Sequence, residues 1–295
     1  MIYMNKLNFS LKNSKILKPT FKKLRKNNTE DQNNEMFTLW IDDNNELPEL
    51  QQLSLKSMIL TGHNVTLYTY NKLDNVPKGI KITDANKILD KSNIFAYKEG
   101  FNKGSYSGFA NWFRAKRLYE KGGAWFDCDV LSIKNINDLN LNENIISSQL
   151  NPDGSVNPNN AFLKLRKNDK LLKAMINHME KVRDNVKHGD TGPRLLKSMM
   201  DTNYKEYYDY LTNTNFIASI NFFDYEDFLK PSKEIVPKLK FEEIWGFHIW
   251  NAMFRNNGME HEKVKSGFYY DLKKAISTSS TRGEYESRIQ NIIKN

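Results

Sequence analysis

One cysteine, Cys128, stands among 295 residues. That excludes an internal disulfide framework and any multi-cysteine zinc site; it points to a reducing compartment, with Cys128 read as a small buried residue. Nowhere do eighteen apolar residues run consecutively, so no segment is expected to span a bilayer. The N-terminal residues also lack an apolar stretch long enough for a signal-peptide core. The expectation is a cytoplasmic protein.

Charge imbalance is scarce outside the N-terminus. The net charge is +9, yet residues 1–35 hold eight basic residues against three acidic ones. The organisation read from this is a basic, Asn-rich, flexible arm over 1–34 and one nearly balanced domain over 35–295. The arm reads as a solvated tail, with weak contact to a membrane surface as its functional alternative. No reading helix or aromatic sheet motif accompanies the charge, so nucleic acid is not an expected partner.

What is present is enough apolar material for an ordinary core, 39% hydrophobic and 12% aromatic. MFTLWI (36–41) is an apolar run bounded by polar segments and predicts a buried strand. Leu47, Leu50, Leu53, Met58 and Leu60 follow at helical spacing and stop at Gly62. VTLYTY (65–70) predicts a second strand and GIKI (79–82) a short third. TDANKIL (83–89) predicts a helical turn or two capped by Thr83 or Asp84. This alternation predicts an α/β fold with parallel strands.

SYSGFANWFRAKRLYEKGG (105–123) predicts an amphipathic helix with Phe109, Trp112, Phe113, Leu118 and Tyr119 as its stripe and two glycines as its stop. Asn111 and Arg114 lie three apart on it and share a face. The helix delivers the chain into AWFDCDV (124–130). Asp127 and Asp129 alternate with Cys128, so on an extended backbone both carboxylates point to one side. Two adjacent carboxylates cannot both stay ionised cheaply without a cation. Oxygen ligation favours Mn²⁺ or Mg²⁺, ions usually shared with substrate phosphates. The carboxyl end of a strand in an open α/β sheet is also where ligands bind.

The run SYSGFANWFRAKRLYEKGGAWFDCDVLSIKNI resembles the D-x-D (DXD motif) region of family 32 glycosyltransferases, especially the bacterial capsular and lipooligosaccharide branch. LWIDDNNELPELQQLSLKSMILTGHNVTLYTY, NNAFLKL (159–165), GDTGPRLLKSM (189–199) and FHIWNAMFRNNG (247–258) resemble further blocks of that branch in the same order. The resemblance covers about residues 36–270. It implies a GT-A (Rossmann-like) fold with a mixed, mainly parallel sheet flanked by helices. It further implies transfer of a hexosyl or N-acetylhexosaminyl group, with retention, from a nucleoside-diphosphate sugar to a glycan or polysaccharide acceptor. A UDP-sugar is favoured over a GDP-sugar as donor.

Carried over by position, the resemblance implies catalytic roles for Asp127, Asp129 and Arg114. Asp127 and Asp129 would bridge the donor's ribose or sugar and the metal, with Asp129 the more direct ligand and His248 a third, and Arg114 would hold the donor's sugar or phosphate. Trp40 would wall the nucleobase; Asn111, Asn160, Thr191 and Gly192 would complete the donor site. Many relatives carry aspartate where this chain has Asn111, which leaves the donor sugar open. Read alone, Thr191-Gly192-Pro193 is a turn opening a helix, Asn160 a strand start, and His248 a core residue. Trp245, Phe247 and Trp250 are candidates for a sugar-stacking platform, with at least two of them expected in the core. Two other readings stay open. FDCDVL also fits a haloacid-dehalogenase-like phosphatase with Asp127 as nucleophile and Asp129 as acid, which would need a later lysine and acidic pair. Asn111 also permits a non-catalytic sugar-nucleotide-binding domain.

Overall fold

A computed structural model describes residues 35–294 except 43, 101, 140 and 142. The arm expected over 1–34 lies outside the described residues. In chain order the elements are β1 (Met36–Trp40), α1 (Glu49–Leu60), β2 (Val65–Thr69), β3 (Lys81–Asp84), α2 (Ser107–Lys121), β4 (Ala124–Phe126) and β5 (Val130–Ser132). There follow β6 (Ile145–Leu150), β7 (Val156–Lys164), α3 (Lys170–Val182), α4 (Pro193–Thr202), α5 (Asn215–Ala218) and α6 (Ser232–Ile235). The chain closes with β8 (Gly246–His248), α7 (Asn251–Asn256), α8 (Phe268–Thr278) and α9 (Arg282–Lys294).

Six strands form one sheet in the order β3-β2-β1-β4-β7-β6. The first four run parallel, while β7 is antiparallel to both β4 and β6. This is the mixed, mainly parallel sheet flanked by helices expected of a GT-A fold. Residues of β1, β2 and β4 are almost all buried, as continuous apolar strands between helical layers should be. The stripe of α2, with Phe109, Phe113 and Leu118 fully buried, packs in one core together with α3 and α4. A second core holds residues of α1, Phe162 and Trp245, and a third residues of α8 and α9. No helix among the described residues is long and apolar enough to cross a membrane.

Sequence and structure part at strand ends. The third strand begins at Lys81, two residues later than periodicity places it, because Gly79 sits at φ +96°, outside strand geometry. The helical turn expected after it is present as a 3₁₀ turn, Ala85–Lys87, whose cap Asp84 accepts the Asn86 amide through its carboxylate, and a second 3₁₀ turn follows at Lys91–Asn93. The strand before the D-x-D stops at Phe126. The Val130 amide donates to the Asp127 carbonyl at 3.0 Å, so Asp127 to Val130 close a turn in place of the expected extended segment.

That turn matters because β5 starts at its end and pairs antiparallel with β8, matching Val130 to His248. The two-stranded ribbon carries residues almost 120 positions apart to one place. β1 and β4 are parallel neighbours, so Trp40 and Asp127 leave the sheet at the same carboxyl edge.

An ion pair with a fully buried guanidinium and a partly exposed carboxylate locks α2 to that sheet. Arg117 is 1% exposed, donates to the Tyr68 hydroxyl and the Gly122 carbonyl at 2.7 Å each, pairs with Glu35, and lies 4.4 Å from the Phe37 ring centre. Removing the guanidinium takes its donors from the Tyr68 hydroxyl and the Gly122 carbonyl and leaves a void under Phe37, while Glu35 keeps the Thr66 hydroxyl. Arg117→Met is therefore expected to lower unfolding free energy by about 3 kcal/mol or more, read from urea denaturation; a change within about 0.5 kcal/mol would show that the network contributes little.

Candidate active site

A cavity of about 880 Å³ opens at the carboxyl edge of β1 and β4. Trp40, Asn111, Arg114, Asp127, Asp129, Asn160, His248 and Trp250 all line it. Seven of these were candidate site residues and the eighth, Trp250, a candidate platform residue. The structure brings them together from β1, α2, the turn after β4, β7 and the end of β8.

Asp127 is held first by α2. The Arg114 Nη2 donates to Asp127 Oδ1 at 2.8 Å, and the Trp125 indole donates to the same oxygen at 2.6 Å. Arg114 is itself buried, stacks 4.4 Å from the Trp125 ring centre, and donates its other terminal nitrogen to the Asn160 carbonyl. A guanidinium's planar fork suits this double task, and a charge-assisted bond in a dry site is a strong one. Arg114 thus fixes Asp127 and places a positive charge at the cavity wall.

Asp129 is held by the ribbon. Its Oδ2 accepts the Asn251 amide at 3.0 Å, its Oδ1 lies 3.3 Å from His248 Nε2, and its carbonyl accepts the Ile249 amide at 2.9 Å. Burial by itself would raise the Asp129 carboxyl, but the neighbouring imidazole and the Asn251 amide hold it below the ordinary range. Burial opposes charge on His248 too, and the Asp129 carboxylate outweighs it and raises the imidazole's pKa.

Asp127, Asp129 and His248 each offer one ligand atom, and these atoms all lie within 4.8 Å of one another. Cis ligands around a small octahedral ion stand ~3 Å apart at metal–ligand distances near 2.1 Å, so this cluster can close on a divalent cation with small side-chain adjustments. The His248 Nδ1 is buried with no hydrogen-bond partner among the described residues. The chemistry of the set, two carboxylates and one imidazole, fits a divalent metal ion.

Trp250 shapes the ribbon's exit. It is left-handed at φ 57°, ψ 49°, an expensive conformation for a bulky residue. Its indole donates to the Ile220 carbonyl at 2.8 Å and its ring centre lies 3.8 Å from that of His248. The bend turns the Asn251 amide onto Asp129. Of the other aromatic candidates, Trp245 stacks on Phe216 in the core and Phe247 packs against Phe268, both fully buried; neither is a sugar platform.

The remaining candidates form a buried amide cluster. Asn160 Nδ2 donates to Asn111 Oδ1 at 3.0 Å, Asn111 Nδ2 to the Thr191 hydroxyl at 3.3 Å, and that hydroxyl to the Gly108 carbonyl at 3.2 Å. Thr191 and Gly192 are not among the described residues lining the cavity; they stand behind Asn111. A Cβ on Gly192 would meet Asn111 Nδ2 at 2.7 Å, so the glycine makes room for that amide. Cys128 touches the Thr38 hydroxyl at 3.1 Å, and burial pushes its thiol up to about 12, as suits an inert buried residue. Sequence reasoning missed Asn251 and Gln149, whose side-chain carbonyl accepts from Asn159 at 2.7 Å. Neither carries a local signal; only the fold brings them to the cavity.

No family model matches the chain, and no curated protein matches it. Among solved structures, the PaToxG glycosyltransferase is similar over 88% of this chain and 86% of its own, at 13% identity and a TM-score of 0.43. The galactosyltransferase LgtC, in complex with donor and acceptor sugar analogues, is similar over 85% of this chain and 99% of its own, at 11% identity and a TM-score of 0.41. The bifunctional glycosyltransferase WbbM is similar over 89% of this chain and 52% of its own, at 14% identity and a TM-score of 0.42. Likeness at this level assigns no residue of this chain a role.

Proposed function

We propose that the protein is a metal-dependent, retaining glycosyltransferase of family 32 type. It would move a hexosyl or N-acetylhexosaminyl group from a nucleoside-diphosphate sugar, a UDP-sugar before a GDP-sugar, to a glycan or polysaccharide acceptor. The observation that carries this reading is the meeting of Asp127, Asp129 and His248 beside Arg114 on the wall of one large cavity.

In this reading Asp127, Asp129 and His248 hold Mn²⁺ or Mg²⁺. When bound, the cation supplies Lewis-acid stabilisation to a departing nucleoside diphosphate. Arg114 adds fixed positive charge and keeps Asp127 oriented, so that part of the electrostatic work is done before the donor arrives. Trp40 walls the nucleobase, and the amides of Asn111 and Asn160 meet sugar hydroxyls. Thr191 and Gly192 serve the donor site by seating Asn111. The cavity's described carboxylates are Asp42, Asp127 and Asp129, and two of these belong to the metal cluster. That distribution favours front-face attack, in which the leaving phosphate oxygen takes the acceptor's proton while the acceptor oxygen bonds to the anomeric carbon.

The phosphatase alternative fits less well. Its nucleophile, Asp127, has one oxygen engaged by both Arg114 and Trp125, and no lysine is among the described residues lining the cavity.

The test is a thermal-shift panel of UDP, GDP, CDP and ADP, each with and without Mn²⁺. A ligand specific for the native state at a hundred times its Kd adds about 2.7 kcal/mol. One nucleoside diphosphate stabilising the protein only with Mn²⁺ is the expected outcome. Absence of any nucleotide response would sink the transferase reading.

A further inference from the structure

The wall beside the metal cluster contains a side chain whose orientation is set from outside the cavity. Asn251 lines the cavity, three residues beyond His248, and its backbone amide holds Asp129. Its side-chain Oδ1 lies 2.9 Å from His261 Nε2. The tautomer follows from the imidazole's other end. His261 Nδ1 is buried with no partner among the described residues. Stranding a lone pair there costs less than stranding an N–H, since orphaned buried donors are the rarer defect. The proton therefore sits on Nε2, which donates to Asn251 Oδ1. A doubly protonated ring would donate in the same sense.

His261 is rigidly placed for this. It is 7% exposed, its ring lies against Phe254 at 4.7 Å between centres and 27° between planes, and Tyr269 meets it edge-on at 5.4 Å. Behind it Lys273 Nζ, 3.4 Å from the His261 carbonyl, is anchored to Glu49 at 2.6 Å. With Oδ1 committed to His261, the group Asn251 has left for a ligand is its NH₂, a pure donor with no partner among the described residues.

We infer that Asn251 Nδ2 is a binding donor for the diphosphate of the nucleotide, and that His261 is the positioning residue that keeps the amide turned donor-outward. The inference rests on the transferase reading above. A donor beside the metal cluster meets the part of a nucleotide sugar that is richest in acceptor oxygens. A freely rotating asparagine would present its carbonyl to those oxygens half the time; the imidazole removes that choice. His261 is not among the described residues lining the cavity.

The experiment is isothermal titration of the full chain with Mn²⁺ alone and with UDP, GDP, CDP and ADP at saturating Mn²⁺, for the parent and three variants. His261→Phe keeps a ring and removes the donor, His261→Gln keeps an N–H near the Nε2 position, and Asn251→Asp replaces the NH₂ by an oxygen. For whichever nucleotide the parent binds, His261→Phe is expected to weaken affinity about tenfold and Asn251→Asp about a hundredfold or more. His261→Gln should recover most of the loss, and the Mn²⁺ affinity of both His261 variants should stay within about twofold of the parent's. Parent-like nucleotide binding by His261→Phe, or equal weakening by the phenylalanine and glutamine variants, would overturn the inference while leaving the transferase reading intact. A parent chain that binds no nucleoside diphosphate with Mn²⁺ would overturn both.

Discussion

Asp129→Asn should reduce sugar transfer by at least about a hundredfold while the protein folds as the parent does. The side chain is isosteric, and its remaining carbonyl oxygen can still accept the Asn251 amide that now bonds Oδ2. The loss falls on the other oxygen, which faces His248 Nε2 at 3.3 Å and belongs to the ligand cluster. An NH₂ there cannot ligate a cation, and losing one preorganised electrostatic contributor typically costs about 10²–10³ in kcat; losing a metal ligand should cost at least that. Folding is spared because the variant also removes a buried charge whose partner, His248, can become neutral. The checks are release of nucleoside diphosphate for activity and circular dichroism with a melting curve for fold. Full activity in a folded variant would remove Asp129 from the proposed metal site.

The second large effect is expected of Arg114→Lys, with kcat/KM down about a hundredfold. Charge is retained, so the change isolates geometry. The guanidinium reaches Asp127 and the Asn160 carbonyl while stacked over Trp125. An ammonium is a compact point charge with no planar fork, and it cannot make both bonds from a stacked position. Asp127 then keeps the Trp125 indole as its remaining side-chain donor and loses its orientation toward the cluster. Steady-state kinetics with Mn²⁺ varied at fixed donor will read this, the apparent Mn²⁺ requirement rising together with the loss in kcat/KM. A kcat/KM within about threefold of the parent's would contradict the positioning role.

Much of the site was legible because its parts are local. Asn111 and Arg114 share a helix face by their spacing, Gly122 stops that helix at φ 66°, and the apolar run AWF leads straight to Asp127. Trp40 was a candidate through the family resemblance alone, and it lies at the end of β1 on the cavity wall. The geometry of the D-x-D did not follow, since alternation along a strand cannot foresee the turn closed by the Val130 amide. Nor could spacing reveal that Val130 pairs with His248, because antiparallel pairing across 118 positions leaves no trace in periodicity. Arg117 reads in sequence as one more charge on an amphipathic helix, yet it is among the largest fully buried side chains. Thr191, expected in the donor site, lies one layer behind the cavity wall, against Asn111.

Incubating the parent chain with Mn²⁺ and each of a set of nucleoside-diphosphate sugars, and following free nucleoside diphosphate, tests the central claim most directly. The account predicts slow Mn²⁺-dependent release from one class of donor, lost in Asp129→Asn. Intact sugar nucleotides throughout, together with Mg²⁺-dependent hydrolysis of a simple phosphate monoester, would contradict it and assign Asp127 to phosphoryl chemistry.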